Sequence, residues 1–189
     1  MSRIDEILAY NQAFVDGKQY EAFGSTRFPS KKTAVLSCMD TRLTELLPAA
    51  LHFKNGEIKI IKNAGAVITH PFGSVMRSLL VAVYELGVED ILVIGHYDCG
   101  MQGLEASRLI QKMLDRKISQ DKIDMVAYAG IDLHKWLGGF DDAQTSVRET
   151  VALIENHPFI PADVQVHGFM MDPQTGKLSR LESGLACAE

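Results

Sequence analysis

The chain has 189 residues, with 19 Lys and Arg against 24 Asp and Glu and a net charge of −5. That length suits one domain spanning 1–189, and that charge argues against nucleic acid or an anionic membrane as the main partner. At 47% apolar and 23% charged residues the composition is that of an ordinary globular protein, not a disordered or fibrous one.

Residues 1–10 mix charges into their apolar positions and offer no signal-peptide core. Ile4, Ile7, Leu8, Ala9 and Phe14 recur at helical spacing behind Ser2 as cap, so the spacing predicts an opening amphipathic helix. We read residues 1–25 as a helical arm that docks on a core or on a second subunit. The run from Thr33 to Ser37, ending at Cys38, reads as the first strand. Residues 44–51 read as a short helix, 57–61 as a second strand, and 63–66 as a loop. Residues 73–86 fit a helix stopped by Gly87, and 91–94 a continuously apolar third strand ended by Gly95. The stretch 74–95 is broken by Arg77, Glu85, Glu89 and Asp90, so it is not expected to cross a bilayer. Helices are expected over 101–114, 121–137 and 142–156, with a turn at Gly138-Gly139 and a fourth strand over 164–169. Asp172-Pro173-Gln174-Thr175-Gly176 turns the chain into a short final segment. Strands separated by helices predict an α/β fold with a mainly parallel central sheet, core order 2-1-3-4, flanked by helices.

Three cysteines, Cys38, Cys99 and Cys187, do not make a disulfide framework. They fit a reducing compartment, and a cytoplasmic protein is expected. Two motifs lie at carboxyl ends of predicted strands: Cys38-Met39-Asp40-Thr41-Arg42 after the first, and Gly95-His96-Tyr97-Asp98-Cys99-Gly100 after the third. In order 2-1-3-4 those two strands are neighbours where the strand order reverses, which is where open α/β sheets bind ligands. Cys38, His96 and Cys99 offer two thiolates and an imidazole, a donor set that suits one Zn²⁺. Three protein ligands leave a tetrahedral position open for water, which favours catalysis over a structural staple. If strand geometry persists past Cys38, Asp40 and Arg42 share its face. Paired with Arg42, Asp40 can accept a hydrogen bond from the activated water. Freed from Arg42, it could become a fourth ligand and close the site. Asp98 and Tyr97 either support the site or are merely exposed. His70, beside the 63–66 loop, is a candidate proton shuttle, and Cys187 is incidental.

These motifs resemble those of the β-class carbonic anhydrases. The resemblance runs from residue 33 to about 178 and rests on C-M-D-T-R at 38–42, K-N-A-G-A at 62–66, I-L-V-I-G-H-Y-D-C-G at 91–100, and shorter matches at Ser146-Val147 and His167-Gly168-Phe169. The family more often has Arg where Lys62 stands, Asn where Ala66 stands, and a polar residue followed by an aromatic at Leu80 and Val81. The H-x-D-C-G-M form and Arg77-Ser78-Leu79 are closer to the short archaeal and bacterial subclass. The resemblance implies reversible hydration of CO₂ to bicarbonate and a proton, by attack of zinc-bound hydroxide. It puts zinc on Cys38, His96 and Cys99 and makes Asp40 and Arg42 the catalytic dyad. It also implies a homodimer or a dimer of dimers. Two alternatives stay open: a zinc hydrolase of carbonyl sulfide or carbon disulfide, and a non-catalytic zinc-binding scaffold or sensor.

Overall fold

Residues 1–182 are described by a computed structural model of the chain; Cys187 lies outside the described residues. The helix α1 (Arg3–Asp16) opens on a reciprocal cap. The Ser2 hydroxyl accepts from the Asp5 N–H at 3.2 Å, and the Asp5 carboxylate accepts from the Ser2 N–H at 2.9 Å. No residue of α1 is buried, so Ile4, Ile7 and Leu8 stay exposed.

The sheet is built from β1 (Thr33–Cys38), β2 (Ile58–Asn63), β3 (Asp90–His96), β4 (Gln165–Met171) and β5 (Leu178–Arg180), in the order β2-β1-β3-β4-β5. The first four run parallel in the expected order 2-1-3-4. β5 adds an antiparallel edge, because the Asp172 turn is too short for a parallel crossover. The crossovers are α2 (Leu43–Ala50), α3 (Ser74–Leu86) and the run α4 (Ala106–Asp115), α5 (Gln120–Tyr128), α6 (Leu133–Leu137) and α7 (Ala143–Glu155). α3 stops at Gly87 in the left-handed region, as expected of that glycine.

Every residue of β1 is buried, because helices cover both faces of the sheet. Ala34 and Leu36 face a core shared with Leu79 of α3 and Val147 and Ile154 of α7. Val35 faces the opposite core, with Leu43 and Leu47 of α2, Ile94 and Met171. That alternation fixes the register: a slip of one residue would exchange the two faces. Truncating Leu36 to Ala at the centre of the sheet would cost about 2–5 kcal/mol.

Three expectations change. The helix expected from residue 101 begins at Ala106, because Met101 to Leu104 is tied by backbone hydrogen bonds to residues 139 and 140. The helix expected over 121–137 breaks into α5 and α6 at Gly130, whose φ is 91°, and the Asp132 side chain caps the second piece. Strand geometry ends at Cys38, and Asp40 and Arg42 meet through a turn instead: the Asp40 carboxylate accepts the Arg42 backbone N–H at 2.9 Å.

Candidate metal centre

Adjacent parallel strands bring their carboxyl ends together, so Cys38 at the end of β1 and His96 at the end of β3 converge. Asp98, in the left-handed region at φ 54°, turns the chain back and returns Cys99 to the same point. All three side chains are buried. Their donor atoms lie within 4.8 Å of one another, and the two sulfurs are 3.9 Å apart. Two sulfurs each about 2.3 Å from one tetrahedral metal would be about 3.8 Å apart, so the spacing already fits zinc.

The imidazole supplies an independent test. Its Nδ1 lies 2.8 Å from the Tyr97 carbonyl oxygen. A carbonyl only accepts, so Nδ1 carries the proton and Nε2 presents a lone pair. Nε2 is buried and has no hydrogen-bond partner among the described residues. A buried acceptor facing two sulfurs is what a cation ligand requires. Cys38, His96 and Cys99 are therefore positioned to bind a metal.

The local field favours positive charge at that point. The hydrogen bond from Cys99 holds the Cys38 thiol far below its ordinary pKa, against the effect of burial, with His96 and the Gly65 N–H adding to the depression. The same pairing, together with burial, pushes Cys99 up. The pair thus gives up one proton readily and retains the other until a cation replaces it. The Cys38 sulfur also pushes His96 up against its burial.

Beside this cluster, Arg42 grips Asp40 with both arms of its guanidinium. Nε donates to Oδ1 at 3.0 Å, and a terminal nitrogen donates to Oδ2 at 2.8 Å. These hydrogen bonds bring the Asp40 carboxyl down to about 2. Its Oδ2 lies 3.9 Å from His96 Nε2, yet the carboxylate belongs to Arg42 and not to the three-donor cluster. Arg42 in turn donates to the Asp98 carboxylate and to its carbonyl oxygen, both at 2.8 Å. Hydrogen bonds to Asp40 first, and to Asp98 second, raise the Arg42 pKa.

A cavity of about 380 Å³ opens over the cluster, lined by both cysteines, Met39, Asp40, Thr41, Ala64 and Met101. Asp98, left open by the sequence, braces Arg42. Tyr97 serves through its backbone, the residue itself being exposed. His70 is not brought to this cavity; its Nδ1 accepts the Phe72 N–H in a surface turn. Sequence reasoning gave Lys62 no role in the site. Its Nζ is buried with no partner among the described residues, and burial pulls its pKa down while Cys38 and Asp40 oppose that pull. The available signal was a lysine in register with Ser37 on a strand flanking the site.

Comparison with known proteins gives a consistent picture. The family model described as carbonic anhydrase matches residues 33–178. YtiB of Bacillus subtilis, provisionally named a carbonic anhydrase, is 47% identical over 97% of this chain and 98% of its own length. The crystal structure of β-carbonic anhydrase isoform I from Trichomonas vaginalis superposes with a TM-score of 0.87 at 34% identity, covering 95% of this chain and 97% of the other. A carbon disulfide hydrolase of Acidithiobacillus thiooxidans is 26% identical over 79% of this chain and 76% of its own.

Proposed function

Because the chain belongs to the carbonic anhydrase family, we propose that it catalyses the reversible hydration of CO₂ to bicarbonate and a proton. In this reading Cys38, His96 and Cys99 hold one zinc ion, and Asp40 and Arg42 are the catalytic dyad. The observation that carries the reading is the Asp40 carboxylate, locked by Arg42 beside a three-donor metal cluster. A metal centre that served only as a staple would have no use for an ionised carboxylate held in place at its open side.

Bound there, zinc supplies the Lewis acidity that makes water a competent nucleophile near neutral pH. The chain's own residues do the rest. Asp40 accepts a hydrogen bond from the attacking water and so aims its lone pair at the substrate carbon. With its carboxyl held to about 2, Asp40 stays ionised at any working pH. It is therefore an acceptor and orienter rather than a proton store, and the proton leaves to solvent or buffer. Arg42 fixes the carboxylate, and Asp98 fixes Arg42. Met39, Ala64 and Met101 give the cavity an apolar wall suited to an uncharged, linear substrate.

We also read α1 as a dimerising arm within a homodimer or dimer of dimers. It carries exposed Ile4, Ile7, Leu8, Tyr10 and Val15 on a helix none of whose residues is fully buried against its own chain. Among the described residues no helix is long and apolar enough to cross a membrane. Free, buried Cys38 and Cys99 agree with a reducing, cytoplasmic setting.

Metal analysis of the purified full chain, followed by stopped-flow hydration of CO₂, tests the proposal. Zinc near one equivalent with fast hydration supports it; a zinc-loaded chain that leaves CO₂ untouched sinks it. The second reading, hydrolysis of carbon disulfide, is favoured by the likeness to the Acidithiobacillus thiooxidans enzyme. Sulfide release from carbon disulfide, measured on the same preparation, distinguishes the two.

A further inference from the structure

The segment just after Cys99 and the loop that carries Gly65 beside Cys38 are far apart in sequence, yet both meet at one residue outside the donor set. Phe140 follows α6 and packs against both hydrophobic cores of the sheet. Its backbone forms a single parallel bridge with Gln102, on the segment just after Cys99. The Phe140 N–H donates to the Met101 carbonyl at 3.2 Å, the Gly103 N–H to the Phe140 carbonyl at 2.9 Å, and the Gly139 N–H to the Leu104 carbonyl at 2.8 Å. The approach is so close that a Cβ on Gly139 would sit 1.8 Å from the Met101 carbonyl oxygen.

The ring of Phe140 presses on the other loop. A Cβ on Gly65 would lie 2.9 Å from Phe140 Cε1, and Gly65 has φ 86°. In that conformation, under that ring, the Gly65 N–H points at Cys38 and lies 3.4 Å from its Sγ. Only glycine adopts such a backbone at little cost. An N–H aimed at a ligating sulfur orients it and withdraws charge from it, and outer partners of this kind typically change metal affinity by about 10- to 100-fold when lost.

We infer that Phe140 is a positioning residue for the metal centre: its backbone clamps the segment after Cys99, while its ring holds the Gly65 N–H on the Cys38 sulfur. The helical excursion α4–α6 enters through Met101 to Leu104 and leaves through Gly138 to Phe140. Its packing is thereby coupled to both thiolate ligands at a single residue. This inference rests on reading Cys38, His96 and Cys99 as the metal centre.

The test uses the full chain and measures metal affinity by chelator competition, with the thiolate-to-metal charge-transfer band of the cobalt-substituted protein as a second readout. F140A is expected to bind metal about tenfold or more weakly and to shift the band, whereas F140Y, which keeps Cε1, should match wild type in both. G65A should weaken binding similarly, and F140A should add little to it in the double variant, because both act on one N–H···S contact. If F140A does not fold, F140L, which lacks the reach of the ring, should show a several-fold loss with a cooperative melt. A folded F140A, or F140L in its place, with wild-type affinity and an unchanged band would overturn the inference, as would fully additive losses in the double variant. Failure of the wild-type chain to bind zinc or cobalt would instead overturn the metal-centre reading itself.

Discussion

Replacing Arg42 with alanine removes four side-chain hydrogen bonds at once, two to Asp40 and two to Asp98. Asp40 then keeps only the backbone N–H of residue 42, on Oδ1, and Oδ2 is free to swing. That oxygen starts 3.9 Å from His96 Nε2, so its new freedom includes the region where the reacting water must sit. A displacement of about 1 Å in a catalytic group costs on the order of 100-fold in rate, so kcat/KM for CO₂ hydration should fall by about that factor. The three metal donors are untouched, so metal content should stay at wild-type level. Arg42→Lys retains the charge but loses the planar fork, and should resemble alanine rather than wild type. Stopped-flow hydration on preparations matched for zinc content measures both variants. Alanine within about threefold of wild type would refute the orienting role assigned to the pair, and full rescue by lysine would refute the geometric part of it.

Cys99→Ser should leave fewer than about a tenth of chains metal-loaded, because one of three donors is lost. Chelation should then lower the thermal midpoint of wild type but not of C99S. Asp142 caps α7, and its pKa is lowered first by the Thr145 hydroxyl and then by the Thr145 N–H. A carboxyl depressed in the folded state stabilises above its unfolded value, near 3.8, and loses that contribution as pH falls through the folded value. D142A should therefore melt lower than wild type at pH 7, with the gap narrowing below about pH 4; an equal gap at pH 2.5 would assign the effect to the cap geometry alone. Ile4→Asp with Leu8→Asp puts charge on the exposed face of α1. The variant should elute as a smaller species than wild type in size-exclusion chromatography with light scattering, while keeping its melt and metal content; unchanged mass would remove α1 from the subunit interface.

Local signals carried the donor set a long way. A β-favouring run ending in Cys38 and an apolar run ending in Gly95-His96 each mark a strand end, and order 2-1-3-4 makes those ends neighbours. The pairing of Asp40 with Arg42 was legible from spacing, although a turn makes the contact where strand geometry was expected. The bracing of Arg42 by Asp98 was not legible, because it joins residues 56 apart through side-chain directions that no periodicity encodes. The segment 101–104 read as helix for a related reason. Its helix-compatible residues are overruled by backbone pairing to Phe140, a partner that only the folded chain supplies.

The sequence by itself determined the α/β alternation with a mainly parallel sheet, and marked Cys38, His96 and Cys99 as candidate metal donors, since both follow from the periodicity of the strands and from the residues at and just beyond their carboxyl ends. Only the tertiary structure decided that His96 offers Nε2, that the Asp40 carboxylate is turned to Arg42, and that Lys62 lies with its Nζ buried beside the site. Each of these depends on which atoms exclude water from which others, and that is fixed when distant segments pack.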